Sequence, residues 1–269
     1  MSCWHAYFYY PVSVTAFSVF FIVAPVSNQF RLVVDGDGNG MASDCNSSIS
    51  AFSSIQAAID AAAPGDTIFV CPGTYDEQII VTTNDLTLRG AGTGLTVVQP
   101  SHVTKSTVQP GTTSPVMPII LIDGASGATI ANLTVDGSRV DSGANIFPTC
   151  DGIPFYTGIY YRISSGIIDT AHITNIRSAT VCNFAILVQT DQSGIGGIAN
   201  VTLKNNLIDH YGLGGINCIG QNTTCTVTGN TIRGAGPVHD LQQAGVIIRA
   251  EARGIITGNV ISDHFSLGA

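Results

Sequence analysis

Three asparagines set the frame for this chain. Asn206, Asn230 and Asn259 each open the same short string, Asn-x-Ile, at intervals of 24 and 29 residues. The surrounding segments repeat with them: VTLKNNLIDHYG (201–212), CTVTGNTIRGAG (225–236) and GIITGNVISDHF (254–265), with ATIANLTVDG (128–137) as an earlier relative. A second segment recurs between them as GIYYRI (158–163), FAILVQ (184–189), GINCIG (215–220) and GVIIRA (245–250). Its small residues Gly158, Ala185, Gly215 and Gly245 are spaced by 27, 30 and 30 residues. One or two short strands per period of this length describe a solenoid, here a β-helix. No single turn can bury its own apolar face, so stacked turns share one continuous core.

Composition agrees with that reading. Only 10% of the residues are charged and 30 are glycine, against the ~25% charged of an average globular chain. The good helix formers Glu and Lys occur twice each. Many Thr, Ile, Val, Asn and Gly favour strands parted by tight turns. The net charge of −8, almost all of the acid being Asp, argues against a nucleic-acid partner. A polyanion would also be repelled unless a basic column or a bound cation reverses the local field.

Ahead of the repeats, AFSSIQAAIDAAA carries Phe52, Ile55 and Ile59 on one side at helical spacing. A serine at 53 or 54 can cap it and Pro64-Gly65 ends it, which predicts a helix over 52–63. After Asp66 the period becomes two, and TIFV, QIIV, LTLRG and TVVQP follow as short strands. Earlier still, VSVTAFSVFFIVAPVS (12–27) reads as the apolar core of a secretory signal covering 1–27. At under ~18 residues it is short for a stable membrane span. The domain is then 31–269, secreted or at the cell surface. Cys45, Cys71, Cys150, Cys182, Cys218 and Cys225 remain, an even number that suits export. Of the 15 connectivities open to six cysteines, sequence proximity suggests 45 with 71, 150 with 182 and 218 with 225.

Within the recurring strands, alternation assigns Ile159, Tyr161, Ile186, Val188, Ile216, Cys218, Val246 and Ile248 to the core. Cys218 and Cys225 then face each other inside, as a disulfide or as two buried thiols. The intervening residues form outward columns with rungs about 4.8 Å apart.

The string FSSIQAAIDAAAPGDTIFVCPGTYDE resembles the N-terminal cap and first coil of the pectin lyase-like superfamily of right-handed parallel β-helix proteins. The Asn-x-Ile coils are similar to the repeats of that group, and the resemblance covers about 33–269. It implies an all-β fold, a right-handed parallel β-helix with an N-terminal capping α-helix. It does not fix the chemistry, since the superfamily holds lyases, esterases, hydrolases, epimerases and surface proteins without activity. The signature strings of its esterase, glycoside-hydrolase and alginate-epimerase branches are absent from this sequence. The expectation is a protein that binds or processes a polysaccharide, uronate-containing in one version. If an enzyme, it is lyase- or epimerase-like; the alternative is a non-catalytic scaffold or adhesin.

Candidate sites follow from the columns and from the motifs left over. Tyr160, Arg162, Gln189, Asp191, Arg249, Glu251 and Arg253 line an expected outward groove for a sugar chain, Arg suiting a bidentate grip on a carboxylate. The other reading is a solvated strand face with weak ion pairs. Asp209-His210 and Asp263-His264 follow equivalent strands and are the candidate acid–base pairs, unless the turn alone demands them. Asp35, Asp37, Asn39 and Asp44 begin a calcium-loop pattern but lack its terminal Glu, so calcium competes with plain Gly-Asp turns. Asp76-Glu77 reads as a solvated corner. Finally, the sequence stops at SDHFSLGA, where the period calls for another strand, which raises the expectation of further coils.

Overall fold

The computed structural model describes residues 31–36, 45, 51–140, 155–177, 182–190, 196–239 and 243–267. The strands lie in three sheets of parallel neighbours, with one short antiparallel addition, Thr107–Val108 against Pro115–Asp123 in sheet C. The chain visits sheet A, then B, then C, and returns one rung further on, which makes a right-handed parallel β-helix. Sheet A has eight strands, from Arg31–Val34 and Thr67–Val70 to Arg253–Thr257. Sheet B carries one strand per coil and numbers the coils: Gly73–Tyr75 is coil 1, Thr96–Val98 coil 2, Thr134–Asp136 coil 3 and His172–Thr174 coil 4. Leu207–Ile208 is coil 5, Thr231–His239 coil 6 and Val260–Leu267 coil 7. Sheet C stacks Ile79–Val81, Pro115–Asp123, Phe155–Arg162, Asn183–Gln189, Gly214–Ile219 and Ala244–Arg249.

The predicted register holds. Ile159, Ile186, Ile216 and Val246 stack in one column, and Tyr161, Val188, Cys218 and Ile248 in the next. Together with Ile130, Ile168, Leu203 and Val227 of sheet A and Val135, Ile173, Ile208 and Ile232 of sheet B they fill one core. Cys218 and Cys225 are joined across it, and Cys45–Cys71 is formed as expected. Cys182 is disulfide-bonded too, while Cys150 lies outside the described residues.

The asparagines form a ladder at the bend between sheets A and B. Asn206 Nδ2 donates to Asn230 Oδ1 (2.9 Å) and Asn230 Nδ2 to Asn259 Oδ1 (2.9 Å). The same oxygens accept the backbone N–H of Asn206 and Asn230, and the amide nitrogens reach Ile168, Leu203 and Val227 carbonyls. Groups that would otherwise be buried and unpaired at each bend are thereby satisfied.

The cap helix spans Ile55–Ala61, shorter than the predicted 52–63, because Ser54 is its N-cap and Phe52 instead bridges to Val34. Its N-terminus shows the solvated reading of Glu77 to be wrong. That carboxylate accepts the N–H groups of Ile55 (2.8 Å) and Gln56 (3.0 Å), two of the donors a helix start leaves free. Gln56 also closes the first edge of sheet C: its Oε1 accepts from Ile80 N (2.8 Å) and its Nε2 donates to Ile80 O (3.1 Å), in the manner of a neighbouring strand. Ile55, Ala58 and Ile59 cover the end of the core.

Candidate functional site

At Tyr160, Arg162 and Gln189, sheet C does not offer the open groove expected of it. Tyr160, Leu187 and Asn217 do stack outward, next to Arg162, Gln189 and Ile219. Yet Tyr160 and Gln189 are 0% exposed. Val116, Leu121, Tyr160, Leu187 and Ile219 make a second apolar cluster on this outer face. The segment ahead of Pro115–Asp123 is tied onto it: Gln189 Nε2 donates to Gln109 Oε1 (3.1 Å), Tyr160 Oη donates to Gln189 Oε1 (3.2 Å), and Arg162 Nε donates to Val108 O (2.8 Å). Arg162 also pairs with Asp123 at 2.8 Å. These side chains hold a strap in place. Arg249 continues the column of Arg162, Gln189 and Ile219 and is exposed, as are Glu251 and Arg253 where the chain turns into sheet A; Asp191 lies outside the described residues.

The outward face of sheet B gathers the chemistry instead. Asp209 Oδ1 accepts from two imidazoles at once, His172 Nε2 at 3.1 Å and His210 Nδ1 at 3.0 Å. Burial pushes the Asp209 carboxyl up, but hydrogen bonds from His172, Thr174 and His210 outweigh it and hold the group well below its usual range. Its side chain is 10% exposed, whereas that of His210 is 59% exposed. His210 reaches Asp209 from a left-handed backbone (φ 51°), a conformation that costs a non-glycine residue of order 1 kcal/mol. His172 borders a recess of about 260 Å³ lined also by Thr93, Thr170, Asn205 and Leu207.

A column of polar side chains leads away from this trio. Asp136 pairs with Thr174 in register, and continuing the neighbouring ladders by one residue aligns Asp76, Gln99, Asp136, Thr174, Asp209 and Arg233 on coils 1 to 6. Gln99 Nε2 donates to Asp136 Oδ2 (2.8 Å), while Asn175 Nδ2 and Ser138 N donate to Oδ1 (2.9 and 2.8 Å). Burial raises the Asp136 carboxyl, yet these bonds bring it below the ordinary value. Asp76 is also lowered, first by the Ser101 backbone N–H and hydroxyl, then by the Arg139 and His102 charges. Arg233, 56% exposed, stands 4.0 Å from Asp263 and forms the cationic end of the column.

Of the two expected Asp-His pairs, only the first lies in this site. Register aligns Arg233 with Ser262, so Asp209 corresponds to Ser262 and the second pair is one residue out of step. Asp263 accepts from Ser262 Oγ (2.9 Å), and His264 is hydrogen-bonded to Tyr211. His172 was not among the sequence candidates.

Of the calcium-loop residues only Asp35 is described; Asp37, Asn39 and Asp44 lie outside. No group of three or more His, Cys, Asp or Glu among the described residues is arranged to hold a metal ion. No helix among them is long and apolar enough to cross a membrane.

No family model matches the chain, and comparison with curated proteins gives no significant match. Among solved structures it is similar to the pectin methylesterase PemA from Erwinia chrysanthemi, with 12% identity over 77% of this chain and 66% of that chain, and a TM-score of 0.42. The matched part is thus just under two thirds of that enzyme. A pectin methylesterase in complex with a hexasaccharide shares 15% identity over 76% of this chain and 70% of that one (TM-score 0.42). An alginate lyase from Paenibacillus sp. shares 14% over 79% of this chain and 96% of that one (TM-score 0.28). The strand pairing, not these likenesses, establishes the fold.

Proposed function

We propose that the outward face of sheet B binds and processes a uronate-containing polysaccharide, using His172, Asp209 and His210 for acid–base chemistry and Arg233 to hold a uronate carboxylate. The observation that carries this reading is the single Asp209 oxygen shared by two imidazoles, one rung from an exposed guanidinium. A uronate proton next to the carboxylate becomes acidic only when that carboxylate's charge is offset, which Arg suits as a bidentate partner. One neutral imidazole takes the C5 proton. The electron pair then forms the C4–C5 double bond as the C4–O bond breaks, and the other imidazole, protonated, returns a proton to the leaving oxygen. Reprotonation at C5 in place of bond cleavage gives the epimerase outcome. The reading includes export, supported by the Cys45–Cys71 and Cys218–Cys225 disulfides.

The test is to incubate the protein with uronate polymers, with and without calcium, following the absorbance of unsaturated product and solvent deuterium uptake at C5. The wild type should give one signal or the other, and a His172→Ala/His210→Ala variant should lose it. No signal from any uronate polymer would leave the non-catalytic scaffold as the better reading.

A further inference from the structure

The side chains of the sheet B column alternate in charge from coil to coil. Coils 1, 3 and 5 present Asp76, Asp136 and Asp209, the last beneath His172 and His210. Coils 2 and 4 present the uncharged Gln99 and Thr174, and coil 6 presents Arg233. Successive rungs are about 4.8 Å apart, and one sugar of an extended chain laid along the solenoid axis advances by roughly one rung. A homopolymer of uronates would therefore bring a carboxylate against Asp76 and Asp136, both held ionised below the normal carboxylate range. Like charges so placed cost binding. A chain with a uronate on every second sugar avoids them. With one uronate at Arg233, the others fall at Thr174 and Gln99, and the uncharged sugars offer hydroxyl or amide donors to the aspartates.

We infer that the polymer taken by this face is an alternating copolymer of uronate and uncharged sugar. The inference rests on the proposed use of sheet B as the binding face and adds the substrate class. Arg139 stands 3.8 Å from Asp76 on an exposed flank, so the discrimination is carried chiefly by Asp136.

The experiment is a calorimetric titration at low salt with two oligosaccharides of equal length. One is a hyaluronan fragment, in which glucuronate alternates with N-acetylglucosamine; the other is oligogalacturonate. The alternating chain should bind roughly tenfold or more tightly. Asp136→Asn, isosteric with the native side chain, should bring the two affinities within about threefold by improving the homopolymer, and circular dichroism checks that it folds. Asp76→Asn should move the ratio in the same direction by less. Equal affinities for the two chains in the wild type overturn the alternation. Arg233→Ala should weaken both ligands; if it changes neither, the binding face itself is wrong and the inference falls with it.

Discussion

Tyr211 and His264 meet across two coils, the phenol Oη hydrogen-bonded to imidazole Nε2 and the rings stacked at 6.0 Å with 26° between their planes. Both are the fifth residue after a ladder asparagine, Asn206 and Asn259. The coil between them makes room by having no side chain there. A Cβ on Gly234 would lie 2.1 Å from Asp263 O and 3.1 Å from His264 Cδ2, and one on Gly245 would lie 3.2 Å from His264 Cε1. Neither glycine could carry a side chain without displacing His264 or the Ile261 and Asp263 atoms beside it.

That contact makes acid sensitivity predictable. Burial lowers His264 below 6.5 against the opposing charge of Asp263. The folded state therefore binds fewer protons than the unfolded state, so stability is present above pH 6.5 and is lost as pH falls from there through the lowered folded value. The carboxylates held low, Asp136 and Asp209, act in the same sense but only below about 3.8. Thermal melts between pH 7.5 and 5 should show a falling Tm in the wild type and a flatter profile in His264→Gln. Equal slopes in the two proteins would show that His264 is not the group responsible.

The asparagine ladder should respond steeply to truncation in its middle. Asn230 is 1% exposed and its amide serves Asn259, Leu203 and the N–H of Asn206. Asn230→Ala leaves buried backbone groups without partners, each costing about 1–3 kcal/mol. Urea unfolding should show a loss of roughly 2–5 kcal/mol. Asn259→Ala, at the partly buried end of the ladder, should cost less.

The ladder also explains how much of the molecule could be read in advance. Asn206, Asn230 and Asn259 announce their coils because a buried bend must pair its backbone in the same way each time. Coil 4 was invisible by that signal, since Ala171 stands where the ladder has Asn; Asn206 Oδ1 accepts the Ala171 N–H instead (2.9 Å). Nothing in the repeat therefore places His172 beside Asp209, 37 residues away, although register brings the two coils together. The covered face of sheet C did leave a trace. GIYYRI and FAILVQ put large apolar side chains, Tyr160 and Leu187, on the outward face as well, the pattern of a strand covered on both sides. Alternation fixed which residues point outward, but outward is not the same as exposed when a distant strap lies over the sheet.

At the capped end, Gln56 is expected to matter more than a residue on a helix surface normally does. Its carboxamide substitutes for a strand on the edge of sheet C through both Ile80 backbone groups. Gln56→Leu keeps helix propensity and bulk but removes both bonds. A loss of about 1–2 kcal/mol is expected, with faster amide exchange at Ile80. Unchanged exchange there would mean that water serves the edge equally well.

The sharpest prediction concerns Asp209, because its structural role and its proposed chemical role separate in the kinetics. Asp209→Asn keeps the shape of the side chain and one acceptor oxygen but removes the negative charge that draws both imidazoles to Oδ1, so His172 and His210 are held less firmly. Positioned acid–base groups contribute roughly 10²–10⁴-fold to rate. Under the proposed reaction, kcat on a uronate polymer should fall within that range while KM stays nearly constant, the uronate being assigned to Arg233. Arg233→Ala should instead raise KM as well as lower kcat. Both variants should melt cooperatively, the asparagine variant somewhat earlier because a hydrogen-bonded carboxylate is lost. If Asp209→Asn loses stability with kcat intact, the trio is a brace for coils 4 and 5 and the acid–base work must be sought elsewhere.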